Sequence, residues 1–157
     1  IFDPVKGQVV DELGKLSVKK VLILEPGFKI NTIKLRMRQD YYRYLGENRE
    51  LTSQAFKKLK YGIENDHMES IRQACETSAL ANENIKNTPY LRDLIELARE
   101  CDYEFLNISH TGTALGIGLG ERTDIERLEY EIRNSEISKV YKRQYVKNII
   151  DGGLRRR

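Results

Sequence analysis

Apolar positions recur along the chain at two periods, and the switches between them mark out the predicted elements. Residues 5–13 alternate weakly between apolar and polar and predict a first strand, ended by Gly14. Val21-Leu22-Ile23-Leu24 is a short apolar run closed by Pro26-Gly27, which predicts a buried strand. From Thr32, a helix cap by residue type, Ile33, Met37, Tyr41, Tyr44 and Leu45 share one broad helical face, ended by Gly46. Phe56, Leu59 and Ile63 form the stripe of a second helix over Thr52–Ile63. A third helix starts at Asn65 or Asp66, with His67 in its first turn, and carries Met68, Ile71, Cys75, Ser78, Asn82 and Ile85 inward. That stripe turns polar toward its end, so its end is expected to face a cleft or a second domain.

Thr88-Pro89 opens a fourth helix, since Pro suits the first helical position, and Leu91, Leu94, Ile95 and Ala98 bury it. Tyr103–Ile108 and Leu115–Leu119 read as strands around a small polar loop. Thr123-Asp124-Ile125-Glu126 is a capping box, followed by Ile125, Leu128 and Ile132 on a buried face. Val140–Val146 is the last predicted strand; Lys139, Lys142 and Arg143 suit an edge. The order is two strands, four helices, two strands, one helix and one strand. It predicts an α+β, ferredoxin-like sandwich in which helices cover one face of a mostly antiparallel sheet.

Composition narrows the class. The chain has 157 residues, enough for one domain with a sizeable core, and the expected domain spans 1–157. Its apolar content is 39% and its charged content 32%, and no apolar run approaches the roughly 20 residues of a membrane helix, so no membrane partner is expected. Cys75 and Cys101 are the only cysteines and form no CxxC pair. They predict buried free thiols in a reducing, cytoplasmic setting. The net charge is only +3, with cations gathered at Lys139–Arg143 and Arg155–Arg157. A nucleic-acid-binding module using these residues is the weakest functional reading; a solvated edge strand and tail are the better account. Asp3, Asp11, Asp102 and Glu104 are candidate acids or bases, but nothing in their spacing pairs them.

The chemistry concentrates in Ser109-His110-Thr111-Gly112-Thr113, between the two middle strands. Four of the chain's 11 glycines, Gly112, Gly116, Gly118 and Gly120, fall within nine residues. Hydroxyls and backbone N–H groups on such a loop can cradle a phosphate. A tight turn with glycines in a crowded strand explains the same residues, and the two readings both stand at this level. Adjacent strand residues point to opposite faces, which argues against a Ser109–His110 nucleophile pair. Gly112 is expected at the turn, facing an open cleft.

The stretch Phe105 to Leu119, followed by a capped helix, resembles the third conserved motif of the GHMP small-molecule kinases. The form Ser-His-Thr-Gly-Thr with a later Leu-Gly looks most like the L-threonine kinase branch, linked to propanediol utilisation and cobalamin synthesis. The opening Phe2-Asp3-Pro4-Val5-Lys6-Gly7 and the run Lys20 to Glu25 have that branch's order. The resemblance implies a GHMP kinase C-terminal-like domain, the C-terminal lobe of an ATP-dependent kinase acting on a hydroxyl group, here that of L-threonine. It implies ATP and Mg²⁺, bound mainly by an N-terminal kinase domain of the same polypeptide. The family's main ATP loop is absent from this sequence, so the chain is not expected to be active alone, and no catalytic residue is carried over. Ser109, His110, Thr111, Gly112 and Thr113 become candidate phosphate or substrate contacts. The alternative is a non-enzymatic α+β ligand-binding or regulatory domain, its glycines purely structural.

Overall fold

The computed structural model describes residues 2–3, 6–9, 13–109 and 113–150. A two-stranded hairpin opens the chain: β1 (Phe2–Asp3) pairs antiparallel with β2 (Gln8–Val9). The expected single strand over 5–13 is thus interrupted by a turn at Lys6–Gly7, where Gly7 takes a φ of +66°.

β3 (Lys20–Glu25) is one of the sheet's two interior strands, and its alternation is strict: Leu22 and Leu24 are fully buried. It pairs antiparallel with β5 (Leu115–Leu119) on one side and β6 (Arg143–Asn148) on the other. β4 (Phe105–Ile108) pairs antiparallel with β5, giving the order β4-β5-β3-β6. The last strand is an edge, as its cations suggested, but it starts three residues later than expected. The short helix α7 (Ile137–Val140) occupies the intervening segment and buries Ile137.

Between β3 and β4 run α1 (Thr32–Arg36), α2 (Tyr41–Glu47), α3 (Arg49–Glu64), α4 (Met68–Ala81) and α5 (Leu91–Glu100); α6 (Ile125–Asn134) follows β5. The core lies on one face of the sheet. There Leu22, Leu24, Leu106, Leu115 and Ile117 meet Leu94 and Ala98 of α5 and Leu128 and Ile132 of α6. The chain is therefore α+β, an antiparallel four-stranded sheet with helices packed against it. Each fully buried Leu or Ile contributes about 1.5–3 kcal/mol by leaving water.

Three local readings are corrected. The single helix expected from Thr32 is two, broken at Arg38–Asp40, and its cap is Asn31, whose side chain accepts from the N–H groups of Ile33 and Lys34. Ile33 and Met37 are 70% and 76% exposed, so they form no buried face, and Gly46 lies inside α2 rather than ending it. In α3 the buried residues are Ala55 and Gly62, while Phe56 is 43% exposed; small residues face α4 and let the helices approach closely. α4 begins at Met68, capped by His67, rather than at Asn65 or Asp66, and α6 is capped by Asp124 rather than Thr123. Thr123 instead donates its hydroxyl to the Asp102 carbonyl and accepts from the Gly120 N–H.

Both cysteines are free; Cys101 is buried and Cys75 half-buried. Beside Cys75, the buried Glu76 carboxylate accepts from the Arg99 guanidinium and the Tyr103 hydroxyl. Burial and the Glu76 carboxylate both push the Tyr103 phenol far above its ordinary pKa. This network ties α4 to α5 and to the start of β4.

Candidate functional site

A cavity of about 480 Å³ opens at the C-terminal end of β4. Thr32, Leu35 and Arg36 of α1 and Tyr41 and Leu45 of α2 form one wall. Ser78 and Ala79 of α4, then Asn82, Ile85 and Lys86 after it, form the opposite wall. Asn107, Ile108 and Ser109 form the base. The polar end of the third predicted helix, Ser78 and Asn82, faces this cavity, as its pattern suggested.

The walls are fastened by polar side chains. Arg38 clasps Asp40 through Nε and Nη2 at 2.9 and 2.8 Å, and its Nη1 donates to the Ile85 carbonyl at 2.9 Å. The adjacent guanidinium holds the Asp40 carboxyl below the usual carboxylate range. This clasp breaks the expected long helix and sets α1 and α2 against the turn before Lys86. Buried Asn48, at the α2–α3 junction, donates to the Ala81 carbonyl and to Asn84 Oδ1.

At the base, Ser109 N–H donates to the Ala114 carbonyl at 2.9 Å and closes the loop between β4 and β5. Lys86 Nζ donates to the Ser109 carbonyl at 2.7 Å. Burial holds the Lys86 ammonium below its usual pKa. The Ser109 hydroxyl is shielded from solvent and has no hydrogen-bond partner among the described residues. A buried polar group of this kind costs about 1–3 kcal/mol until something bonds it.

Of the five sequence-derived candidates, Ser109 lies on the cavity. Thr113 does not line it: its hydroxyl donates to the Phe28 carbonyl at 3.2 Å and pins the loop to the β3–α1 connection. His110, Thr111 and Gly112 lie outside the described residues, as does the expected turn at Gly112. The remaining glycines of the cluster have packing reasons. A Cβ on Gly118 would lie 2.4 Å from the Phe105 ring, and one on Gly120 would lie 1.9 Å from Glu104 Oε1. Gly116 faces Val21 at 3.2 Å. The crowded-strand explanation therefore accounts for Gly118, which lies within β5 against the Phe105 ring.

Arg36 and Lys86 were not singled out by sequence. Their only signal was the polar stripe of α4, which marked the neighbouring wall. Lys139 pairs with Glu136 at 2.6 Å and Arg143 with Glu25 at 3.6 Å. Arg155–Arg157 and Asp11 lie outside the described residues, and of Asp3 only the backbone is described. A second cavity, of about 640 Å³, lies at the opposite end of the sheet. It mixes Lys19, Lys20 and Arg122 with Glu104 and Glu121, so its charges offset one another. Among the described residues, no three His, Cys, Asp or Glu side chains are grouped to hold a metal ion. No helix there is long and apolar enough to cross a membrane.

No family model matches the chain. The chain is 25% identical over 141 residues to the L-threonine kinase of Salmonella typhimurium, a match covering 86% of this chain and 45% of that protein. It is 22% identical over 101 residues to the L-threonine kinase of Citrobacter freundii, covering 64% of this chain and 35% of that protein. The chain spans less than half the length of these curated relatives, and over that span it is similar to L-threonine kinases.

Proposed function

We propose that this chain is the C-terminal lobe of an ATP-dependent small-molecule kinase that phosphorylates a hydroxyl group, with L-threonine as the acceptor. The observation that carries the reading is the shielded Ser109 hydroxyl, without a hydrogen-bond partner among the described residues, set on a cavity beside Lys86 and at the root of the loop to Thr113. The similarity to two L-threonine kinases supports it. So does the sheet order β4-β5-β3-β6, which suits a ferredoxin-like sandwich of the GHMP kinase C-terminal type.

Phosphoryl transfer depends on positioning and on stabilising charge spread over the transferred group. In this lobe Ser109 and the loop after it contact the acceptor or the phosphate, while Lys86 fixes the loop's first carbonyl. ATP and Mg²⁺ belong mainly to an N-terminal domain of the same polypeptide. The cavity's donor set agrees with that division. Mg²⁺ binds through hard carboxylate and phosphate oxygens, and among the described residues no carboxylate lines this cavity. These residues do not fit a magnesium site, and no step here runs through the ion. The setting is proposed to be cytoplasmic.

One observation favours the second reading, a non-enzymatic α+β binding or regulatory domain: Gly118 is explained by its packing against the Phe105 ring. ADP release by the full-length protein, measured with Mg-ATP against a panel of hydroxylated amino acids and sugars, separates the two. The kinase reading expects release that depends on L-threonine. A folded full-length protein with no acceptor-dependent release would favour the binding domain.

A further inference from the structure

One wall of the cavity at the end of β4 is built unlike the rest of the fold. α1 and α2 together bury no residue. Leu35 and Tyr41 are half-buried on the cavity, while Ile33, Met37 and Tyr42 face solvent. α5, by contrast, buries Leu91, Leu94, Ile95 and Ala98. A segment with few buried apolar contacts opens at low cost in free energy.

Both ends of this wall are anchored. Before α1, the Phe28 carbonyl accepts from the Thr113 hydroxyl at 3.2 Å. After α2, the buried Asn48 side chain donates to the Ala81 carbonyl and to Asn84. Between the anchors, Arg38 reaches the opposite wall, where its Nη1 donates to the Ile85 carbonyl at 2.9 Å. Asp40 takes up Nε and Nη2 of the same guanidinium. The group is planar and rigid, so a carboxylate holding two of its nitrogens fixes the direction of the third. Ile85 is buried, so the acceptor is fixed as well. A span that is anchored at both ends, buries nothing and is fastened at its middle is hinged, and the fastening sets its position.

We infer that residues 29–47 form a hinged arm on the cavity and that Arg38 is its latch, a positioning residue that holds Thr32, Leu35 and Tyr41 in place for the ligand. The arm and the latch rest on this geometry; the ligand's role as acceptor rests on the kinase reading above. Without the latch the closed arm becomes one state among several, and the apparent affinity falls by the fraction of time the wall is in place. The reacting groups are untouched, so KM rises and kcat stays.

The test uses the full-length protein and two readouts. Amide hydrogen exchange without ligand, followed by mass spectrometry, compares residues 29–47 with α5. In the wild-type protein the arm should exchange at least about ten-fold faster than α5. Arg38→Gln should speed exchange in 29–47 by about a further ten-fold and leave α5 and the urea midpoint unchanged. Asp40→Asn keeps the Arg38 side chain but loosens its orientation, and should fall between. Steady-state kinetics with Mg-ATP and L-threonine should show KM for threonine raised about ten-fold in Arg38→Gln with kcat little altered. Arg38→Lys keeps a donor for the Ile85 carbonyl and should recover part of that loss. Wild-type arm amides as protected as those of α5, or exchange in 29–47 unchanged by Arg38→Gln, would overturn the latch. A lowered urea midpoint with faster exchange in α5 would overturn it too, since Arg38 would then be a general support of the fold. So would an unaltered KM in an active Arg38→Gln protein. Absence of threonine-dependent ADP release in the wild type would retire the kinase reading, and the exchange data alone would then decide the latch.

Discussion

Gly62 and Gly46 are both helical glycines, and replacing each with alanine separates steric cost from helix propensity. Gly62 is buried in α3 where it meets α4. A Cβ there would lie 2.7 Å from Ile71 Cγ1, 3.0 Å from the Ile71 nitrogen and 3.1 Å from the His67 carbonyl oxygen. Two of those atoms are backbone, and the His67 N–H donates back to the Gly62 carbonyl at 2.8 Å, so relief requires the helices to separate. Gly46, inside α2, would have nothing within 4 Å of its Cβ. Alanine gains about 0.8–1 kcal/mol over glycine in a helix interior at both positions. Overpacking costs about 1–3 kcal/mol and acts only at Gly62. The propensity gain cancels between the variants, so Gly46→Ala should exceed Gly62→Ala in stability by about 1–3 kcal/mol. In a domain of this size that is a melting difference of about 2–12 °C. Urea midpoints with unchanged m-values, together with thermal melts, read it out. Equal stability of the two variants would refute the close α3–α4 contact at Gly62.

Further outcomes follow from the same structure. Glu76→Ala should destabilise by about 1–3 kcal/mol in chemical denaturation, because the Tyr103 hydroxyl is left buried without its acceptor; a neutral effect would remove the network from the fold's account. The Cys75 thiol is pushed up to about 11 by burial and then by the neighbouring Glu76 charge, so it stays protonated below that pH. Cys101, also raised by burial, is 1% exposed. Both should therefore react slowly with a disulfide reagent at pH 8 and rapidly in urea; fast native labelling would contradict the packing. Asn31→Ala removes the α1 cap and should cost about 1 kcal/mol of local stability. Because α1 carries Thr32, Leu35 and Arg36, the variant should raise KM for the acceptor more than it lowers kcat, which steady-state kinetics would show.

The legible parts of the fold were those where one segment carries a complete pattern. Leu22 and Leu24 on β3, Leu91 to Ala98 on α5 and Leu128 with Ile132 on α6 show their buried faces in their own spacing. Failures came where another segment decides the outcome. The Arg38–Asp40 clasp reaches the Ile85 carbonyl, 47 residues away, and it splits what periodicity reads as one helix. In α3 the buried side is marked by Ala55 and Gly62, because close helix approach selects small residues over the Phe56 that the pattern placed inside. The site divides in the same way. Ser109 was visible as a hydroxyl beside a glycine cluster, and the polar end of α4 pointed to a cleft. Arg36 and Lys86 were not visible, because the cavity joins α1 to the turn after α4 and neither segment carries a motif.

Direct identification of the product is the measurement closest to the central claim. The full-length protein carrying this chain would be incubated with Mg-ATP and L-threonine, and the mixture resolved by phosphorus NMR and mass spectrometry. The account predicts a phosphomonoester on the threonine side-chain oxygen, formed in step with ADP. A cooperatively folded wild-type protein that yields no phosphorylated threonine, and none with other short hydroxylated acids, would contradict it.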